Sequence, residues 1–107
     1  MSGLSQKDLQ EILRVLGAYP QIKRARLFGS RAKGTHSPGS DVDIALEGDI
    51  TFDLVREVSR SLNQDSTMPY RFDILDYAAI ESQELREHID RVGIALLDRG
   101  PHTIPPV

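Results

Sequence analysis

With 107 residues the chain has room for one hydrophobic core and none for a second substrate-binding domain. Sixteen acidic against thirteen basic residues leave a net charge of −3, which argues against a dedicated nucleic-acid binder. The absence of cysteine excludes disulfides and thiolate zinc sites, and 39% apolar with 27% charged residues is ordinary for a soluble globular domain. The opening "MSGLSQKDLQ" has no basic and apolar leader pattern, and no apolar run reaches the length of a membrane span. The expected location is therefore the cytoplasm, and no membrane partner is expected.

Ser5-Gln6-Lys7-Asp8 resembles a capping box that opens a helix, with Asp where Glu is favoured. Leu9, Ile12, Leu13 and Leu16 follow at helical spacing, and Gly17 and Pro20 are expected to end the helix. Lys23 to Phe28 reads as a strand, with Lys23 and Arg24 as a solvated strand edge. Three glycines then fall between Gly29 and Gly39, with Arg31 and Lys33 flanking the turn. A second strand, Val42 to Leu46, ends at Glu47-Gly48-Asp49. Thr51 can cap a helix whose stripe is Leu54, Val55, Val58 and Leu62. Asn63 to Pro69 is turn-like, and Arg71 to Leu75 is a third strand. A last helix carries Leu85, Ile89 and Val92, stops at Gly93, and precedes a short strand from Ile94 to Leu97. The order of elements predicts an α/β (α+β) fold, a small mixed sheet with helices packed on it, over residues 1–99. The tail, residues 100–107, contains three prolines and no periodicity and is read as a flexible end.

Chemistry concentrates in "LFGSRAKGTHSPGSDVDIAL". Residues two apart on a strand face the same way, so Asp41 and Asp43 project together and can share a divalent cation. Magnesium is commonly held by one or two carboxylates plus substrate phosphates. A third acid on a neighbouring strand would complete a two-ion site, and Asp73, between Phe72 and Ile74, is the best placed. Gly29-Ser30 lies where a strand runs into "RAKG". Free backbone N–H groups at such a turn, with the Ser30 hydroxyl, suit an anion, and glycine admits close approach. Phosphate and metal sites side by side are what nucleotide transfer requires.

These residues carry a family resemblance. "GSRAKG" followed by "SDVDIAL" resembles the signature of the DNA polymerase beta-type nucleotidyltransferases, G-S-x-A-x-G…S-D-x-D-[IL]. More narrowly, the chain resembles the small minimal nucleotidyltransferases (MNT) encoded beside HEPN-domain proteins, with "RFDIL" as the strand of the third carboxylate. The resemblance implies the nucleotidyltransferase fold, Gly29 and Ser30 on the triphosphate, and Asp41, Asp43 and Asp73 on magnesium. It also implies attack of an acceptor hydroxyl on the α-phosphorus of ATP or another NTP, with release of pyrophosphate. Asp73 would accept the hydroxyl proton. HEPN partners in this family are RNase-like toxins, and some MNT proteins adenylylate them on a tyrosine, which implies a hetero-oligomer. A non-catalytic antitoxin acting by contact is the alternative, and transfer to a small molecule comes third, since the chain is too short to form a pocket for a bulky acceptor.

The other polar residues carry local readings. Arg31 and Lys33 either neutralise triphosphate charge or are solvated. Ser40 is expected to fix the turn before Asp41, and Asp76, on the face opposite Asp73, to end its strand. His36 reads as a mobile surface residue, and His88 and His102 have no partner in the sequence that suggests a site. Tyr70, Tyr77 and Phe28 are expected to pack.

Overall fold

The computed structural model describes residues 3–99, so the predicted tail, with His102, lies outside the described residues. The elements are α1 (Gln6–Gly17), β1 (Ile22–Phe28), α2 (Ser30–Lys33), β2 (Val42–Gly48), α3 (Phe52–Asn63), β3 (Phe72–Asp76), a 3-10 turn (Tyr77–Ala79), α4 (Gln83–Val92) and β4 (Ile94–Asp98). The strands form one sheet in the order β3-β2-β1-β4. β1 runs antiparallel to both β2 and β4, and β2 runs parallel to β3, with α3 as the crossover a parallel pair requires. This is the mixed sheet with helices that the order of elements predicted. Among the described residues no helix is long and apolar enough to cross a membrane.

Local sequence accounts for most helix starts. Ser5, Thr51 and Ser82 each accept a bond from the backbone N–H three residues on, and so cap α1, α3 and α4. α1 ends where expected. Gly17 is its last helical residue, and the N–H of Ala18 closes the helix on the carbonyls of Val15 and Leu16. Its buried stripe is Ile12, Val15 and Leu16, whereas Leu13 is 37% exposed. The stripe is rotated because α1 leans toward α3 and leaves Leu13 over a groove beside the edge strand β4.

The sheet has two unequal faces. α1 and α3 cover one, where Ile12, Leu16, Val58 and Leu62 meet Ile22, Leu27, Val42, Ile44, Leu46, Phe72 and Ile74. A register shift after Ile22 turns the β1 alternation, so that Ile22, Ala25 and Leu27 all reach this core. The opposite face carries a smaller cluster, Phe28, Ala45 and Ile89, beneath α4. Asp43 shares this second face with Ala45 by strand alternation.

Lys23 and Arg24 do not lie on a sheet edge, because β1 is flanked by strands on both sides. Arg24 pairs with Glu47 at 3.7 Å and with Asp98 at 4.0 Å on the two neighbouring strands. Arg26 is held at 2.8 Å by Glu47, reaches Asp90 of α4, and lies over the Tyr77 ring. Such central positions tolerate cations when acids stand on the adjacent strands.

The outer edge of β3 is closed by a side chain that mimics a strand. Asn63, the last residue of α3, accepts from the Phe72 N–H at 2.7 Å and donates to the Phe72 carbonyl at 2.9 Å. Asn63→Ala removes both bonds and is expected to cost about 1–2 kcal/mol. Asn63→Asp, which keeps the acceptor alone, should fall between them. Urea unfolding of the three proteins checks the order.

Candidate active site

β2 brings the acids together. In the parallel pairing of β2 with β3, Asp43 stands opposite Asp73, and in the antiparallel pairing with β1 it stands opposite Phe28. Asp41 precedes the strand and is exposed, as is Asp73, the second residue of the edge strand β3. The sequence reading placed Asp73 mid-strand among apolar neighbours. Its flanking Phe72 and Ile74 are indeed buried, but they point to the other face and leave Asp73 in solvent. Asp43 is half-buried. Burial first, then the negative charges of Asp73 and Asp41, push its carboxyl above the usual carboxylate range.

Gly29 follows β1 directly and stands against Asp43. A Cβ at Gly29 would collide with the Asp43 carboxylate oxygen, and its φ of +76° with ψ of −156° is backbone that only glycine adopts readily. Ser30 opens α2, a single helical turn without a side-chain N-cap. Gly34 ends that turn in the left-handed region at φ +81°. Gly29 and Ser30 therefore stand beside Asp43, with Asp73 on the next strand, at one end of β1 and β2.

Arg31 resolves into a clamp. It is 2% exposed, donates through Nε and Nη2 to the Ser40 carbonyl at 3.3 and 3.1 Å, and lies 4.9 Å from the Tyr70 ring centroid. It spans the glycine loop from its first turn to the residue before Asp41, so the loop needs its charge inside and the solvated reading does not hold. Ser40 accepts from the Ser37 N–H at 2.8 Å, fixing the turn as expected. Asp76 is the last residue of β3, as expected, and it accepts from the Ala78 N–H to cap the 3-10 turn. Tyr70 and Tyr77 pack but also donate, to Asp8 and to Asp90, each at 2.7 Å.

Two histidines differ from their sequence reading. His36 is half-buried and its Nδ1 has no hydrogen-bond partner among the described residues, so it is not a surface side chain. His88 reaches the site itself, where its Nε2 accepts the Gly29 N–H at 3.1 Å. Nothing in the sequence links them, since the two residues are 59 positions apart. Lys33 is exposed, and its charge is felt at His88.

The donor chemistry bears on a cation. Among the described residues no three His, Asp or Glu side chains stand close enough together to hold a metal ion, so Asp41, Asp43 and Asp73 do not form a preformed three-carboxylate site. The carboxylates are hard oxygen donors on an open rim, which is the arrangement magnesium takes when water and phosphate complete its shell. Burial and the charges of Asp73 and Asp41 both disfavour the Asp43 carboxylate, and a bound cation would oppose both effects. A polar cleft of about 620 Å³ between α3 and the outer edge of β3 reaches Asp73, with Arg56, Ser59 and Arg60 on its walls. Chain length alone gave no reason to expect a cavity of this size.

Comparison with known proteins agrees with this geometry. The family described as polymerase beta, nucleotidyltransferase, matches residues 10–102. This chain belongs to that family. It is 34% identical over 73 residues to the Haemophilus influenzae "Probable protein adenylyltransferase MntA", covering 67% of this chain and 63% of that protein. The "Putative protein adenylyltransferase MJ0604" of Methanocaldococcus jannaschii is 35% identical over 82 residues, covering 75% and 76%. Its fold resembles a chain in the crystal structure of a toxin-antitoxin with AMP-PNP, at TM-score 0.68 and 25% identity over 89% of this chain and 74% of that one. A chain in the structure of a tri-AMPylated Shewanella oneidensis HEPN toxin in complex with MNT antitoxin shares the fold, at TM-score 0.66, 22% identity and 92% and 73% coverage.

Two expectations follow from the site geometry. Because the folded state raises the Asp43 carboxyl, its charge costs stability above that raised value, and the cost fades as pH falls toward the ordinary carboxylate range. Asp43→Asn in chelator should therefore raise the melting temperature at pH 7 by roughly 2–4 °C, with the gap closing in acid. Arg31→Met, which leaves the Ser40 carbonyl without its donor, should lose about 2 kcal/mol in chemical denaturation.

Proposed function

We propose that this chain is a magnesium-dependent protein nucleotidyltransferase that moves AMP from ATP onto a hydroxyl of a HEPN-domain toxin, and thereby acts as its antitoxin. The observation that carries the reading is the strand register, which sets Asp43 opposite Asp73 with Gly29 against the same carboxylate. The curated relatives named as protein adenylyltransferases support the acceptor class. The fold shared with HEPN–MNT complexes supports a hetero-oligomer with a HEPN partner. The proposed reaction takes place in the cytoplasm, where nucleoside triphosphates are available.

In this reading Gly29 and Ser30 receive the triphosphate. The missing side chain of Gly29 makes room for the Asp43 carboxylate beside this turn, and the Ser30 hydroxyl donates to the phosphate. Asp41, Asp43 and Asp73 would hold Mg2+, which when bound neutralises phosphate charge and stabilises the pyrophosphate leaving group. The acceptor oxygen forms a bond to the α-phosphorus as the bond to the pyrophosphate oxygen breaks, and the hydroxyl proton passes to the Asp73 carboxylate. Asp73, exposed on the edge strand, is open to an acceptor arriving through the cleft beside α3. Arg31, buried in its loop, takes no part with the phosphates and positions Asp41 instead.

The test is the intact mass of both proteins after incubation with a HEPN partner, ATP and magnesium. Adenylate additions on the partner, lost with Asp41→Asn and Asp43→Asn, are expected, at a rate lower by at least about a hundredfold in each variant. If no mass changes and the double variant still neutralises the partner, the protein acts by contact alone. Additions to a free small hydroxyl compound in place of the partner would point to the small-molecule reading.

A further inference from the structure

We propose that His88 is a positioning residue of the Gly29–Ser30 turn: its imidazole Nε2 accepts the Gly29 N–H and holds the turn against Asp43. The bond joins the last helix to the end of β1 across 59 residues at 3.1 Å, the length of a normal hydrogen bond. Gly29 needs such a holder. It sits in a backbone region with little intrinsic preference to stay there, and α2 has only four residues and no side-chain cap.

The imidazole is itself well supported. The neighbouring Ile89 is fully buried in the small core, and the ring meets Phe28 edge-on with centroids 6.3 Å apart. α4 is tied down around it. Tyr77 and Arg26 hold Asp90, at 2.7 and 3.4 Å, and Arg86 donates to the Ile80 carbonyl at 3.0 Å. Burial, followed by the charges of Lys33 and Arg91, holds the imidazole below its usual pKa. A neutral ring has a lone pair to offer at Nε2, with its proton on Nδ1.

One consequence reaches the phosphate side. The Gly29 amide is occupied by His88, so donation to phosphate falls to Ser30, and Gly29 serves by its conformation and its lack of a side chain. This consequence rests on the nucleotidyltransferase reading, whereas the hydrogen bond and its role in holding the turn do not.

Two variants and one spectroscopic measurement test the proposal. His88→Leu removes the acceptor, and His88→Gln returns an amide oxygen near the Nε2 position. In the wild-type protein, nitrogen-15 shifts of the imidazole should show the Nδ1–H tautomer with an acceptor at Nε2, and the Gly29 amide should exchange slowly. In His88→Leu that amide should shift and exchange at least about tenfold faster, with recovery in His88→Gln. With a HEPN partner and ATP, His88→Leu should lower kcat/KM by about 10–100-fold, chiefly through the KM for ATP, and His88→Gln should recover most of it. A freely exchanging Gly29 amide in the wild type overturns the proposal. So does a loss of activity in His88→Leu with the Gly29 amide unchanged, since His88 would then act on substrate directly. If His88→Leu does not fold, the wild-type and His88→Gln spectra still decide. An inactive wild type with a normal Gly29–His88 signature would count against the transferase reading alone.

Discussion

The pairing of β1 with β2 governs this end of the molecule. With Phe28 opposite Asp43, the chain leaves β1 at the point where its next residue meets the carboxylate, and only glycine fits there. A slip of one residue would turn Asp43 into the α1/α3 core and expose Val42 and Ile44 on the other face. Those two side chains are fully buried, as is Leu46, so the hydrophobic pattern of β2 sets the register that the candidate site needs. The parallel partner β3 then brings Asp73 alongside through the same alignment.

That alignment concentrates negative charge. Asp43 bears the conflict because it alone of the three acids is half-buried, and the fold tolerates it by keeping Asp41 and Asp73 in solvent, where water screens them. Around this strained point the supports are strong and polar. Arg31 spans the loop to Ser40, and Asp90 receives bonds from two elements that anchor α4. The opposite face is held by a larger apolar cluster, with Tyr19 bonded to Ser61 and Tyr70 to Asp8 at its margin. Packing on one face of the sheet leaves the other free to carry charge.

Much of the candidate site lay in one continuous stretch of sequence, which made it legible. Gly29-Ser30 is joined to Asp41 and Asp43 by residues 31–40, and Asp73 stood out as an acid between apolar neighbours. The clamp was not legible. Arg31 reads as one of several cations, and its burial depends on Tyr70 and on the carbonyl of Ser40. His88 was passed over for the same reason, since a histidine on a helix carries no mark of what it faces. The cleft beside Asp73 likewise depends on how α3 lies against a strand edge, which spacing alone does not define.

By itself the sequence determined the local features: the caps at Ser5 and Thr51, the two-residue alternation of β2, and the glycine required where β1 ends. Each depends on a residue and its near neighbours, through hydrogen bonds and backbone sterics that act within a few positions. Only the tertiary structure decided that β1 is central, which stripe of α1 is buried, that Arg31 lies inside its loop, and that His88 holds Gly29. Those outcomes depend on which surfaces meet when the sheet closes, and desolvation assigns each polar group its partner only at that stage.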